Sequence, residues 1–584
     1  MLRRRLTLTS GRPAALLSGV LALAMVACSE ERSGAGPRPP DAAPADPDIG
    51  EDAPINLSYV CGNRYVVTNA QSFPITVTYR VEGSEEEGTV DLAAAPRMDP
   101  AITEHTIEVR TTGAVQLFAG GRLVVARANG RAPCLSDAAS PALSLSGTEA
   151  GEWSAPFSWP IVAIHMALLP DQRVLALGRL GTPQVWDPVS GTFTAVPPPA
   201  WLFCAGQTML PDGRVFFAGG HIDYDYGLPN TTLFNPADNT WTSSTLMARG
   251  RWYPTTTSLA NGDVLILAGR DQASVEVGEP EVWSNGTIRR LTGASKTLPY
   301  YPRVFLTPKG TAFVAGHVVY TRYLTTTGSG AWKSGPKHLY TSTRDYGSAV
   351  MYESGKILYA GGSRTTNTAE TIDLNAATPA WKWTGSMAYA RRHLNLTLLP
   401  TGEVLATGGV AGTTFNDFSK PVYPAEIWNP ATGQWTTLSG NAILRDYHGT
   451  ALLMPDGRVL VAGGSESKGL PSQKNAEIFS PPYLFRGARP TISSAPTTLG
   501  YGQSFRIETA DAGTIAKVTL IRLGTVTHAF DQNARLLRLA STADSTGLTV
   551  TGPSSGNVAP PGHYMLFIVN GSDVPSVAQI VKIQ

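Results

Sequence analysis

The sequence predicts an all-β chain, and three observations carry that reading. Seven near-copies of one short unit run through its middle. Gly (59) and Pro (44) are frequent, as many short strands and tight turns require. No stretch shows a long amphipathic helical period. At 584 residues the chain holds several domains, and 42% apolar against 16% charged residues makes it globular. The formal net charge of +1 offers no basic field for nucleic acid, and the nine His residues form no tract.

Residues 1–28 read as a lipoprotein signal peptide. Arg3, Arg4 and Arg5 form a positive start, an apolar run follows, and Met25-Val26-Ala27-Cys28 resembles a bacterial lipobox with Cys28 as the lipid-bearing residue. The run is too short for a spanning helix. The expectation is an exported bacterial lipoprotein, periplasmic or at the cell surface, touching the membrane only through its anchor. Residues 29–54 are Pro-, Ala- and Asp-rich, a flexible tether.

Residues 55–140 alternate as strands: Tyr65-Val66-Val67, Ile75 to Tyr79, Thr106 to Val109, Leu123 to Val125. They predict a small β-sandwich. Cys61 and Cys134 bracket it and are expected to pair in an oxidising compartment. With Cys28 given to lipid, Cys204 is the cysteine left over. It is either a buried inert thiol or one that chemistry consumes.

Residues 141–488 hold the repeats. The copies are PDQRVLALGR (from Pro170), PDGRVFFAGG (Pro211), ANGDVLILAG (Ala260), PKGTAFVAG (Pro308), ESGKILYAGG (Glu353), PTGEVLATGG (Pro400) and PDGRVLVAGG (Pro455). Their spacing of about 41 to 55 residues is the period of a four-stranded blade. The sequence therefore predicts a seven-bladed kelch-type β-propeller. Trp186, Phe234, Trp428, Trp241 and Trp435 recur at matching offsets and read as packing anchors. The Gly-Gly pairs at 219–220, 361–362, 408–409 and 463–464 allow close backbone approach and lack phosphate-loop spacing. Residues 489–584 shift to a second alternating pattern, read as an immunoglobulin-like sandwich.

Nine residues before each repeat's turn stand Ala163, Cys204, Tyr253, Tyr301, Tyr346, His393 and His448. Six of these seven can ligate a metal, donate a proton or carry a radical. In a propeller the innermost strands line the axis, so equivalent positions form a ring near one mouth. A Cys, Tyr residues and a His gathered there suggest copper, for which imidazole and phenolate are suitable donors. His528, between two strand runs of the last domain, could reach down the axial hole as a second imidazole. Any one of these residues could instead be ordinary packing.

At these residues a family resemblance becomes specific. Phe203-Cys204-Ala205-Gly206, Arg251-Trp252-Tyr253-Pro254, Arg445-Asp446-Tyr447-His448-Gly449 and Gly524-Thr525-Val526-Thr527-His528 resemble the radical-copper oxidases, galactose oxidase and especially glyoxal oxidase. Pro561 to Phe567 and Val574 to Ala578 resemble that family's last domain. The similarity spans roughly residues 150–584.

The resemblance implies roles. Cys204 joins the Tyr253 ring by a thioether, and Tyr253 is a copper ligand that carries the radical. His448 and His528 are the imidazole ligands. Tyr447 is the axial ligand and general base. The implied activity is oxidation of small aldehydes or primary alcohols by dioxygen, with hydrogen peroxide as product, in a monomer. Tyr301, Tyr346, His393 and Trp252 are candidates for the substrate pocket, the ring members being equally readable as packed hub residues. Galactose oxidase stacks a Trp over its thioether from just after a glycine pair. Here that place reads Ala268-Gly269-Arg270-Asp271, so galactose specificity is not implied, and Trp252 or Trp201 would have to shield the radical from elsewhere. The alternative is a non-catalytic kelch propeller lipoprotein that binds glycan or protein.

Tyr447 and His448 raise one difficulty. Neighbours on a regular strand point to opposite faces, yet both must reach one metal. The sequence therefore predicts irregular backbone at that strand entry.

Overall fold

The computed structural model describes residues 55–61, 64–69, 74–92, 103–111, 113–127, 147–363, 365–412, 414–466 and 472–584. Cys28, Cys134 and the Cys61 side chain lie outside the described residues, and so do the anchor and the pairing expected there. Among the described residues no helix is long and apolar enough to cross a membrane. Among the described residues the one α-helix is a single turn, Gly147–Ala150.

The first unit is two antiparallel sheets. One joins Ile55–Cys61, Arg64–Asn69 and Thr103–Glu108; the other joins Glu87–Leu92, Ile75–Val81, Val115–Ala119 and Arg122–Arg127. Leu57, Tyr65, Val67, Val77 and Leu117 form their shared core, as the period-two pattern requires.

Seven sheets follow in sequence order, numbered 1 to 7 by their first strands: His165–Leu168, Gly206–Met209, Thr255–Ser258, Arg303–Leu306, Ser348–Glu353, Asn395–Leu398 and Gly449–Leu453. All seven first strands are buried along most or all of their length. Sheet 7 takes its fourth strand from Glu152–Trp153, so the two ends of the repeat region share one sheet. Each first strand lies beside that of the next sheet from 2 through 7, and that of sheet 7 lies beside His165–Leu168. Gln207 of sheet 2 donates from Nε2 to the Met166 carbonyl of sheet 1 at 3.0 Å.

The repeat unit is a three-residue hairpin. In Leu210–Arg214, Gly213 N donates to Leu210 O at 3.0 Å and Leu210 N to Arg214 O at 2.8 Å. The last loop residue must be left-handed. All seven are: Gln172, Gly213, Gly262, Gly310, Gly355, Gly402 and Gly457 have φ from +70° to +95°. The recurring tryptophans bridge sheets. Trp241 Nε1 donates to Val196 O at 2.9 Å and Trp435 Nε1 to Gly385 O at 2.7 Å.

A second device recurs. Arg251, Arg344, Arg391 and Arg445 stand just before the first strands of sheets 3, 5, 6 and 7. Each pairs with a buried glutamate on the third strand of its own sheet: Glu281, Glu370, Glu426 and Glu477, at 2.7 to 2.9 Å. Each arginine also donates from Nη1 to a carbonyl at the end of the second strand, such as Gly408 O for Arg391 at 2.9 Å. Removing one partner of such a pair leaves a buried charge, at a cost of about 3–5 kcal/mol. These bolts immobilise the segment that enters each first strand.

The last 96 residues by number, 489–584, form a β-sandwich of a five-stranded and a three-stranded sheet with its own core of Ile507, Val518, Leu520, Leu548, Val550 and Leu566. One hairpin leaves it. Thr525–Thr527 and Phe530–Asp531 extend sheet 1 by pairing Thr525, Val526 and Thr527 with Ala167, Met166 and His165.

Candidate metal centre

The ring residues sit at the strand entries, one or two residues before the first strand begins, rather than on the strands. Cys204, Tyr253, Tyr301, Tyr346, His393 and His448 all have positive φ, between +42° and +69°. That region is costly for a side chain other than Gly, yet it recurs at all six. Adjacent members are tied in series: Tyr253 N donates to Cys204 O and Tyr301 N to Tyr253 O, both at 3.0 Å, and His393 N to Tyr346 O at 2.9 Å. Cys204, fully buried, is thus the hydrogen-bonded neighbour of Tyr253.

The irregularity expected at Tyr447-His448 is present, with both residues in a turn ahead of Gly449. The left-handed His448 breaks strand alternation and brings the two rings onto one side, stacked at 3.8 Å with planes 28° apart. The same geometry appears at Trp252-Tyr253. Tyr253 is left-handed, and the Trp252 indole lies flat on its ring, centroids 3.9 Å apart and planes 7° from parallel.

Four side chains from three distant segments converge. The Tyr253 and Tyr447 hydroxyls are hydrogen-bonded to each other. His528 Nε2 lies 3.1 Å from Tyr253 OH, and the His448 and His528 rings are 4.7 Å apart. All four residues are at most 3% exposed. His528 arrives on the hairpin that extends sheet 1, itself left-handed at φ +47°.

The imidazoles are oriented. His448 Nδ1 donates to the Ser465 carbonyl at 2.5 Å, which leaves Nε2 with the lone pair, buried and without a hydrogen-bond partner. His528 Nδ1 is held 2.6 Å from Thr527 Oγ1. Burial brings His448 down to about 3 and pushes His528 well below the ordinary range, so both rings are neutral, the metal-binding form. Among the described residues no three His, Cys, Asp or Glu side chains gather to hold a metal. A metal here must use the phenols. Two imidazole nitrogens and two phenol oxygens form a donor set that fits Cu(II), and the partnerless His448 Nε2 is the atom such an ion would satisfy.

The pocket candidates surround these four. Tyr301 lies 4.7 Å from both the Tyr253 and His528 rings, its hydroxyl tied to Ala205 O at 2.9 Å. Tyr346 and His393 pack on Tyr447 at 5.3 and 5.2 Å. Trp252 covers Tyr253. Trp201 does not: it meets His221 edge-on at 4.6 Å instead.

Other residues at the site stand outside the ring register. Tyr300 meets the Trp252 and Tyr253 rings edge-on at 5.3 and 5.7 Å. Phe415 packs on Tyr447 at 5.0 Å, and Asn416 Oδ1 accepts from Tyr447 N at 3.3 Å. Asp446 accepts from Ser465 Oγ at 2.6 Å and so braces the carbonyl that orients His448; burial lifts its carboxyl to about 6. Tyr300 and Asp446 have a local signal, each standing next to a residue the sequence singles out, whereas Phe415 and Asn416 have none.

A family profile described as "Glyoxal oxidase N-terminus" matches residues 185–483, and one described as "Galactose oxidase-like, Early set domain" matches residues 489–583. Galactose oxidase of Gibberella zeae is 30% identical over 489 residues, covering 74% of this chain and 70% of that one. Aldehyde oxidase GLOX of Vitis pseudoreticulata is 29% identical over 443 residues, covering 65% and 82%. A fungal alcohol oxidase of the AA5 family, solved in complex with copper, superposes with a TM-score of 0.69 over 75% of this chain and 100% of that one. At 24% identity that match shows the shared fold. The convergent tyrosines and histidines thus lie within the matched regions, and the chain belongs to the galactose oxidase and glyoxal oxidase family of copper radical oxidases.

Proposed function

We propose that this chain is a copper-dependent oxidase of small aldehydes or primary alcohols. A primary alcohol and dioxygen give an aldehyde and hydrogen peroxide; an aldehyde hydrate and dioxygen give an acid and hydrogen peroxide. The observation that carries the reading is the convergence of Tyr253, Tyr447 and His528 on one buried point beside the partnerless His448 Nε2.

Tyr253, Tyr447, His448 and His528 are the proposed ligands. Copper bound there supplies a Lewis acid and a one-electron redox centre. Tyr253 supplies the second oxidising equivalent as a phenoxyl radical, made easier to form by an ortho thioether to Cys204. Forming that bond removes the thiol hydrogen and one ring hydrogen, two electrons and two protons passing to dioxygen. Tyr447 takes the substrate hydroxyl proton. The Ser465 carbonyl and Thr527 hydroxyl hold the two Nε2 atoms in line. Trp252 covers the Tyr253 face and keeps water from it.

The seven sheets are read as blades of a closed kelch-type propeller, which puts the site at the axis. The lipobox-like Met25–Cys28 supports reading the enzyme as exported and held on a lipid anchor.

Aerobic maturation with copper tests this. The intact mass is expected to fall by two hydrogens, localised to a Cys204–Tyr253 linked peptide, and the matured protein should release peroxide from small aldehydes or primary alcohols. A copper-matured chain with no linked peptide and no peroxide would leave the binding-propeller reading instead.

A further inference from the structure

A tyrosine that works as a radical must first lose one electron, and Tyr253 is only 1% exposed. An oxidant too large to enter needs a path through the protein. The structure contains a continuous set of rings leading outward. Trp252 lies flat on Tyr253 at 3.9 Å. Its Nε1 donates to His221 Nδ1 at 3.1 Å. The His221 ring meets Trp201 edge-on at 4.6 Å. Trp201 is partly exposed and lines a surface cleft with Arg179, Gly181, Pro183, Pro198 and Phe203. Its Nε1 is fixed to Arg179 O at 3.0 Å.

We propose that Tyr253, Trp252, His221 and Trp201 form an electron route between the buried tyrosine and one-electron oxidants that reach this cleft. The inference rests on the oxidase reading above. Each link is a ring contact or a hydrogen bond. The Arg179 guanidinium lies 4.9 Å from the Tyr224 ring and 6.0 Å from Phe203.

A second aromatic, Tyr300, also leads outward from Trp252. Its hydroxyl faces Asp225 Oδ1 at 3.3 Å. Oxidising Tyr300 requires its phenolic proton to move to that carboxylate, whereas Trp201 can pass an electron and keep its N–H. Trp201 is therefore the assigned terminus.

The step balances simply. With copper bound the Tyr253 oxygen is a phenolate and carries no proton. One electron leaves Tyr253 and hexacyanoferrate(III) becomes hexacyanoferrate(II). The Trp252 N–H proton stays in its hydrogen bond to His221.

The test mixes copper-loaded, cross-linked chain with hexacyanoferrate(III), without substrate or dioxygen, and follows radical absorption in a stopped-flow instrument. Trp201→Phe is expected to lower the second-order rate constant at least about tenfold, with copper content and final radical amplitude unchanged. Tyr300→Phe should stay within about twofold of wild type. Trp201→Tyr carries a phenol that must lose its proton on oxidation, so it should recover rate only as the pH rises toward phenol ionisation, a pH dependence that Trp201→Phe lacks and that separates electron transfer from altered packing. A Trp201→Phe rate within twofold of wild type, equal slowing by Phe and Tyr at every pH up to phenol ionisation, or slowing confined to Tyr300→Phe overturns the route. A wild type that forms no radical with any oxidant refutes the oxidase reading itself, a result the variants cannot mimic.

Discussion

His528→Ala is expected to weaken copper binding about 100-fold or more, beyond the 10–100-fold typical of substitutions one shell further out. The fold should survive. The hairpin that carries His528 is held by strand pairing to His165–Leu168 and by Gln532, whose Oε1 accepts from Thr256 N and Oγ1 at 3.1 and 2.9 Å. The last domain also keeps its own core. Titration with copper against a competing chelator, beside a thermal melt, reads both quantities. Unchanged affinity in a folded variant would mean that the fourth donor is another residue.

Tyr447→Phe separates chemistry from binding. Phenylalanine keeps the ring contacts with His448, Phe415 and Tyr346, at 3.8, 5.0 and 5.3 Å. It removes only the hydroxyl that faces Tyr253. Three donors remain, so copper should still load. Loss of a positioned base is expected to lower kcat by about 10²- to 10⁴-fold. The measurement is peroxide release normalised to bound copper. A kcat within tenfold of wild type would assign proton removal elsewhere.

Much of this centre was legible because a repeat makes distant positions comparable. One fixed offset from seven turns picks out Cys204, Tyr253 and His448, and the turns themselves are left-handed at every copy. The same offset carries no information about backbone at the ring. Alternation along a strand would send Trp252 away from Tyr253 and Tyr447 away from His448. A left-handed second residue, Tyr253 at +62° and His448 at +69°, stacks both pairs instead. One local device thus serves two ends: it lays an indole over one phenol and sets a phenol and an imidazole side by side.

Other features depend on long-range contact and leave no local trace. The Arg391–Glu426 bolt joins residues 35 apart. His528 reaches Tyr253 and His448 through the pairing of Thr525–Thr527 with Ala167–His165. Phe415 and Asn416 approach Tyr447 from a loop between the second and third strands of sheet 6. The Cys204–Tyr253 adjacency lies between these cases: neighbouring repeats suggest it, and the Tyr253 N to Cys204 O bond at 3.0 Å supplies the contact.

The most direct measurement is the electron paramagnetic resonance of the wild type titrated with Cu(II) before any substrate is added. The account predicts one tetragonal copper per chain, with splitting from two imidazole nitrogens that falls to one in His448→Ala. Splitting that the substitution leaves unchanged, or copper that never exceeds a small fraction of the protein, would contradict it.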